Sequence, residues 1–182
     1  MKVCLIRHGA TAGNLQKRYI GSTDEGLCPE GIAMLRLMIP PSCDSVFVSP
    51  MRRCLETASI LYPTVQPIIC ENLRECDFGD FEGRNYEELN GDPAYQTWIN
   101  SGGNAPFPGG ESPEAFKKRS ADAFCDLMRS AVGTCAFVVH GGTIMAVCEA
   151  FCGGTFYQYH VPNAGGFRAE WDGSRLTDPE RL

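Results

Sequence analysis

The chain is poor in the features that direct a protein to nucleic acid, membrane or structural metal. Basic residues are scarce: 16 Lys and Arg stand against 22 Asp and Glu, for a net charge of −6. An acidic surface repels nucleic acid and anionic membrane, so neither is expected as a partner. No apolar stretch is long enough to cross a bilayer. The first apolar run, residues 3–6, stops at Arg7, too short for a secretory signal, so a cytoplasmic location is expected. Ten cysteines are scattered, several inside apolar segments, and no CxxC pair occurs. That spacing argues against a zinc finger and for reduced thiols acting as small core groups. Histidine is limited to His8, His140 and His160. Internal repeats and low-complexity linkers are absent.

What is there fits one folded domain over residues 1–182. Apolar residues make up 43% and charged residues 21%, ordinary values for a globular chain able to bury a core. Short apolar runs at 2–6, 46–48, 67–70 and 135–139 predict strands. Ile32, Leu35 and Ile39 keep helical spacing after Pro29, which predicts a helix over 29–39. Ser49 and Pro50 predict an N-cap and first helical residue, with Met51, Leu55, Ala58 and Leu61 on the buried face. Ser112 and Pro113 repeat the signal before a long helix, and 143–151 predicts another. Asp172 and Gly173 predict the turn of an edge hairpin. Strands alternating with helices predict an α/β fold: a three-layer α/β/α sandwich with a largely parallel sheet and helices on both faces. Residues 80–112, rich in Gly, Pro, Asn and acids with aromatics between, predict a small helical lid insertion.

Three polar clusters follow predicted strands: Arg7, His8 and Gly9; Ser49 to Arg53; and His140 to Thr143. Ligands of open α/β sheets bind outside the carboxyl ends of the strands. Two helices begin there, and helix N-termini with arginine forks suit a phosphate. A neutral imidazole in such a pocket is a competent nucleophile, and a carboxyl group is needed to protonate the leaving oxygen.

The segment Arg7-His8-Gly9-Ala10-Thr11-Ala12-Gly13-Asn14 resembles the R-H-G-x-T-x-x-N signature of the histidine phosphatase superfamily, which includes phosphoglycerate mutases. Ala10 stands where the family usually has Glu. Further ordered matches run through most of the chain: Arg18, Gly21 and Asp24; Ser49 through Ala58; Leu73, Glu75, Phe78 and Gly79, then Phe81, Glu82 and Gly83; Pro108 through Ser112 (P-G-G-E-S); and Val139, His140, Gly141 and Gly142. The resemblance implies that His8 forms a phosphohistidine. It implies that Arg7, Arg53 and His140 bind the phosphoryl group, with Arg53 rather than Arg52 at the family's arginine position. Glu75 would be the acid, with Asp77 as the obvious substitute, and Asn14, Gly21 and Gly141 would line the pocket. No metal and no cofactor are implied.

Residues 80–112 contain one basic residue, Arg84, against Asp80, Glu82, Glu87, Glu88, Asp92 and Glu111. That balance disfavours a mutase, whose substrate carries further negative charge. The short chain and the P-G-G-E-S stretch look most like the α-ribazole phosphatases. The expected function is hydrolysis of a small phosphomonoester, such as α-ribazole 5′-phosphate or a sugar phosphate. Mutase-type phosphoryl transfer and an inactive phosphate-binding protein are the alternatives. Tyr86, Tyr95, Trp98 and Phe107 form either the lid's own small core or a platform for a substrate ring, and His160 is expected on a surface loop.

Overall fold

The computed structural model describes residues 1–182. Six strands form one sheet: β1 (Lys2–Arg7), β2 (Ser45–Val48), β3 (Ile68–Ile69), β4 (Cys135–Val139), β5 (Gly166–Trp171) and β6 (Leu176–Arg181), in the order β3-β2-β4-β1-β5-β6. The first four in that order are mutually parallel, while β5 and β6 close the far edge antiparallel. The mixed α/β architecture is the one expected.

Side-chain alternation divides the core between the two faces of the sheet. Val3, Leu5, Phe47, Phe137 and Val139 point to one face, where they meet α5 (Pro113–Ser130) and α6 (Gly141–Cys152). Cys4, Ile6, Val46, Val48, Ala136 and Val138 point to the other, against α2 (Pro29–Leu37) and α3 (Arg52–Leu61). Phe124 of α5 is wholly buried, and each such ring contributes about 2–3 kcal/mol by leaving water. A short α1 (Ala12–Leu15) follows β1. A third cluster, including Phe81, Leu89, Tyr95, Phe107 and Phe116, lies under the 80–112 segment, whose helix is α4 (Pro93–Asn100).

Three local expectations are corrected. The helix predicted over 29–39 stops at Leu37, and Ile39 is 96% exposed; Pro40 disfavours helical geometry in the residue before it. Ser49 is not a helix cap and Pro50 is not the first helical residue. The cap position belongs to Met51, and Ser49 Oγ instead pairs with the His140 ring at 2.7 Å. The buried stripe of α3 is consequently Arg53, Cys54, Thr57, Ala58 and Leu61, with Leu55 only partly covered. Ser112 does cap α5, accepting from Ala115 N at 3.1 Å. None of the ten cysteines is disulfide-bonded.

Candidate active site

The carboxyl ends of neighbouring strands β1 and β4 carry His8 and His140. Their registration, Arg7 beside Val139, brings the two imidazoles to 5.2 Å between ring centres. His8 is 3% exposed. Its Nδ1 lies 2.7 Å from the carbonyl oxygen of Gly9. A carbonyl only accepts, so Nδ1 carries the proton and Nε2 keeps its lone pair. Burial, then the Arg53 charge, with Arg7 adding less, lowers the His8 pKa from 6.5 to about 3, against the opposing pull of the Gly9 bond. The ring is therefore neutral at ordinary pH, with a free nucleophilic nitrogen.

His140 is fixed by two partners. Arg53 Nε–H donates to its Nδ1 at 3.3 Å, so Nε2 bears the proton and donates to Ser49 Oγ. Burial first, then Arg53, holds its pKa well below 6.5. Arg53 is fully buried. Its remaining donors reach the backbone carbonyls of Thr23 (2.8 Å), Gly21 (2.9 Å) and Ile20 (3.5 Å). Arg52, by contrast, is exposed and pairs with Glu56 at 2.7 Å, one helical turn on. The geometry thus separates the two arginines. Arg7 donates from Nη1 to Val161 O at 2.7 Å, and its buried Nε has no protein partner. An unpartnered cationic donor beside two imidazoles suits an anion.

Glu75 completes the group. Its carboxylate accepts from the backbone N–H of Gly142 and of Cys76, each at 3.0 Å. Gly142 lies in the first turn of α6, so the carboxylate sits at a helix N-terminus. Burial raises the Glu75 pKa above 4.5, outweighing those two bonds and the charges of Arg53 and Arg7. A carboxyl group that holds its proton in this way suits a general acid. Arg74 does not pair with Glu75; it is exposed and lies 4.0 Å from Glu71. Asp77 shapes the chain instead, accepting from Gly79 N at 2.9 Å.

The other expected residues approach through neighbours. Asn14 Oδ1 accepts from Asn163 Nδ2 at 3.0 Å, and the same nitrogen lies 3.2 Å from the His8 carbonyl. Gly21 meets Arg53 through its carbonyl. Gly141 packs on Arg7, whose guanidinium carbon would lie 3.4 Å from any Cβ added there.

Several contributors were not foreseen. Thr57 Oγ1 accepts from Gly9 N at 3.0 Å and so supports the His8 turn. Arg119 grips Glu111 through two bonds (3.0 and 2.8 Å) and donates to the carbonyls of Asn72, Arg74 and Glu75. His160 lies at the rim of a cavity beside the site rather than on an uninvolved loop. That cavity, about 340 Å³, reaches from Arg7, Glu75 and Gly142 outward between Tyr19, Phe78, Trp98, Phe107, Phe156 and Tyr157. Tyr95 and Phe107 belong mainly to the small core beneath, and Tyr86 points to solvent. The aromatic wall is therefore built chiefly by residues outside the predicted set. The acids of 80–112 are largely consumed internally: Glu88 by Arg18, Asp92 by Arg84, Glu111 by Arg119. No three His, Cys, Asp or Glu side chains converge as a metal-holding group, and no helix is long and apolar enough to cross a membrane.

Comparison with known proteins agrees with this geometry. A Hydrogenobacter thermophilus protein provisionally named phosphoserine phosphatase 2 is 28% identical over 188 residues, covering 97% of this chain and 92% of that one. The adenosylcobalamin/α-ribazole phosphatase of Escherichia coli K12 is 33% identical over 127 residues, covering 65% of this chain and 63% of that one. The crystal structure titled phosphoglycerate mutase from Thermus thermophilus superimposes with a TM-score of 0.77 at 30% identity, over 100% of this chain and 99% of the other. Residues 3–177 match the family described as histidine phosphatase superfamily, branch 1. With the paired histidines, the two buried arginines and the fold all in agreement with that match, the chain belongs to branch 1 of the histidine phosphatase superfamily.

Proposed function

We propose that this protein hydrolyses a phosphomonoester through a phosphohistidine on His8, without a metal or cofactor. The observation that carries the reading is the Nδ1–H bond of His8 to Gly9, which leaves Nε2 free on a buried, neutral ring. In the first step Nε2 attacks phosphorus, the P–O bond to the leaving group breaks, and Glu75 gives its proton to that oxygen. In the second, water attacks phosphorus, the Glu75 carboxylate takes the water proton, and the P–N bond breaks to release phosphate. Arg7 and Arg53 offset charge on the transferring oxygens. The Nε2–H of His140, resting on Ser49, is the donor it would offer a phosphoryl oxygen. Segment 80–112 serves as a lid over the site. Ten free thiols suit a reducing compartment, and we place the activity in the cytoplasm.

The aromatic walls beside Glu75 favour a flat, weakly polar leaving group, and α-ribazole 5′-phosphate fits that description. A carboxylated ester is less favoured. Lys117, at the cavity wall, is already paired with Glu149 at 2.9 Å and lies over the Phe156 ring. Arg84 is held by Asp92 and by the Glu88 carbonyl. The test is phosphate release in excess EDTA from α-ribazole 5′-phosphate, phosphoserine, 3-phosphoglycerate and sugar phosphates, with His8→Ala alongside. Release that survives EDTA, vanishes in the variant and is fastest with the ribazole ester is expected. Full activity in His8→Ala would refute the mechanism, and preference for phosphoserine would refute the substrate assignment.

A further inference from the structure

Glu82 takes no part in the chemistry above, yet its carboxylate is among the most heavily bonded groups in the molecule. It accepts from the backbone N–H of Gly21 (3.0 Å), Ser22 (2.8 Å) and Thr23 (3.4 Å), from the Thr23 hydroxyl (2.8 Å) and from Phe78 N (3.1 Å). Three successive backbone N–H groups converging on one anion form a nest. Here the anion is supplied by the chain itself. The loop that makes the nest has no helix or strand of its own between α1 and α2. Its outward carbonyls, from Gly21 and Thr23, are the ones that hold the Arg53 guanidinium, and Arg53 in turn holds His140.

We infer that Glu82 is a positioning residue for the phosphoryl pocket: its carboxylate fixes the 21–23 loop, and the loop carbonyls fix Arg53. The assignment rests on the reading that Arg53 binds the phosphoryl group. A carbonyl holds a guanidinium by direction rather than by opposite charge, so Arg53 is only as well placed as the loop beneath it. The loop also has little freedom to settle elsewhere as a unit. A Cβ on Gly21 would stand 1.8 Å from the Cys76 carbonyl oxygen, so the backbone is pressed against the strand-like segment that carries Glu75. The same contact means that a displaced loop disturbs both sides of the site.

Glu82→Gln is the decisive variant. The amide keeps the shape but has one acceptor oxygen and turns an NH₂ toward N–H donors. Hydrolysis of p-nitrophenyl phosphate and inhibition by orthophosphate are measured for Glu82→Gln, Arg53→Ala and the double variant, with melting temperatures recorded. We expect Glu82→Gln to raise KM and the orthophosphate Ki about tenfold, the loss of charge-assisted bonds acting through Arg53. Arg53→Ala costs more, and the double variant is no worse than Arg53→Ala, because the two act in series. A merely structural role would make the losses add. Additive losses, or a Glu82→Gln enzyme with unchanged KM and Ki, overturn the assignment while leaving Arg53 in its role. Full activity in Arg53→Ala overturns the reading of Arg53 itself. Should Glu82→Gln fail to fold, Thr23→Val removes one donor and keeps the carboxylate. A rise in Ki of about threefold is then expected, and an unchanged Ki refutes the relay.

Discussion

The Glu75 carboxylate is anchored 3.0 Å from the backbone N–H of Gly142, in the first turn of α6. A Cβ on Gly142 would lie 2.4 Å from Glu75 Oε1. Intrinsic helix propensity alone favours Ala over Gly by about 1 kcal/mol. Gly142→Ala is therefore expected to leave the melting temperature near or above wild type while lowering kcat about 10- to 100-fold, since the flexible acid is what moves. Parallel thermal and kinetic measurements check the split. A variant that loses stability and keeps kcat contradicts it.

Arg119 supports the same acid from the other side. Its bonds to Glu111 and to the carbonyls of Asn72, Arg74 and Glu75 tie α5 to the Glu75 turn. Lys lacks the planar fork that makes these bonds together. Arg119→Lys is expected to lower kcat about tenfold on alkyl phosphates with little change in KM. On p-nitrophenyl phosphate, whose leaving group needs no proton, the loss is expected to be small. Equal losses on both esters would show that Arg119 does not act through Glu75.

The pH profile follows from the direction of one pKa. Burial raises Glu75 above 4.5, so its proton is retained into less acidic solution than an ordinary carboxyl allows. With alkyl esters, phosphorylation of His8 is expected to decline as pH rises through that elevated value. Glu75→Gln should remove this limb and reduce the phosphorylation rate about 10²-fold or more on alkyl esters. Single-turnover kinetics across pH checks both. Persistence of the limb in Glu75→Gln assigns it to another group.

Stability carries a second pH signature. His8 titrates near 3 in the folded chain and near 6.5 when unfolded. Between those values the unfolded chain binds more protons, so stability rises with pH and is lost as pH falls below about 6.5. His140 acts in the same direction. A single buried neutral imidazole costs up to about 1.4 kcal/mol per pH unit. Between pH 6.5 and 5, before most carboxylates protonate, His8→Ala is expected to flatten the dependence in denaturant titrations. An unchanged slope would mean that His8 is not kept neutral by the fold.

The sheet and the principal motifs were legible because they are local: apolar runs give strands, and glycines with histidines follow their ends. Arg53 was distinguishable from Arg52 only through the resemblance, since both precede the same helix and side-chain direction is set by tertiary packing. Ser49 misled for a related reason. Its sequence context is that of a cap, but its hydroxyl is claimed by His140, which lies 91 residues away. The 3₁₀ turn Phe156–Tyr159 had a readable signal, Thr155 and Gln158 forming a capping box. Recognising it would have placed Phe156 and Tyr157 in an ordered element, though not against Trp98 across the cavity. The Glu82 nest has no such signal, because its donors are backbone groups.

Arg53 spends its hydrogen bonds on carbonyls and an imidazole, none of which bears a compensating charge. Together with Arg7, whose pKa burial lowers, this concentrates electrostatic frustration in the centre of an otherwise acidic molecule. Part of the folding free energy is thereby held in reserve for a guest dianion. The same protein should consequently melt at different temperatures in phosphate and in an uncharged buffer, its apparent robustness being a property of the solution as much as of the chain.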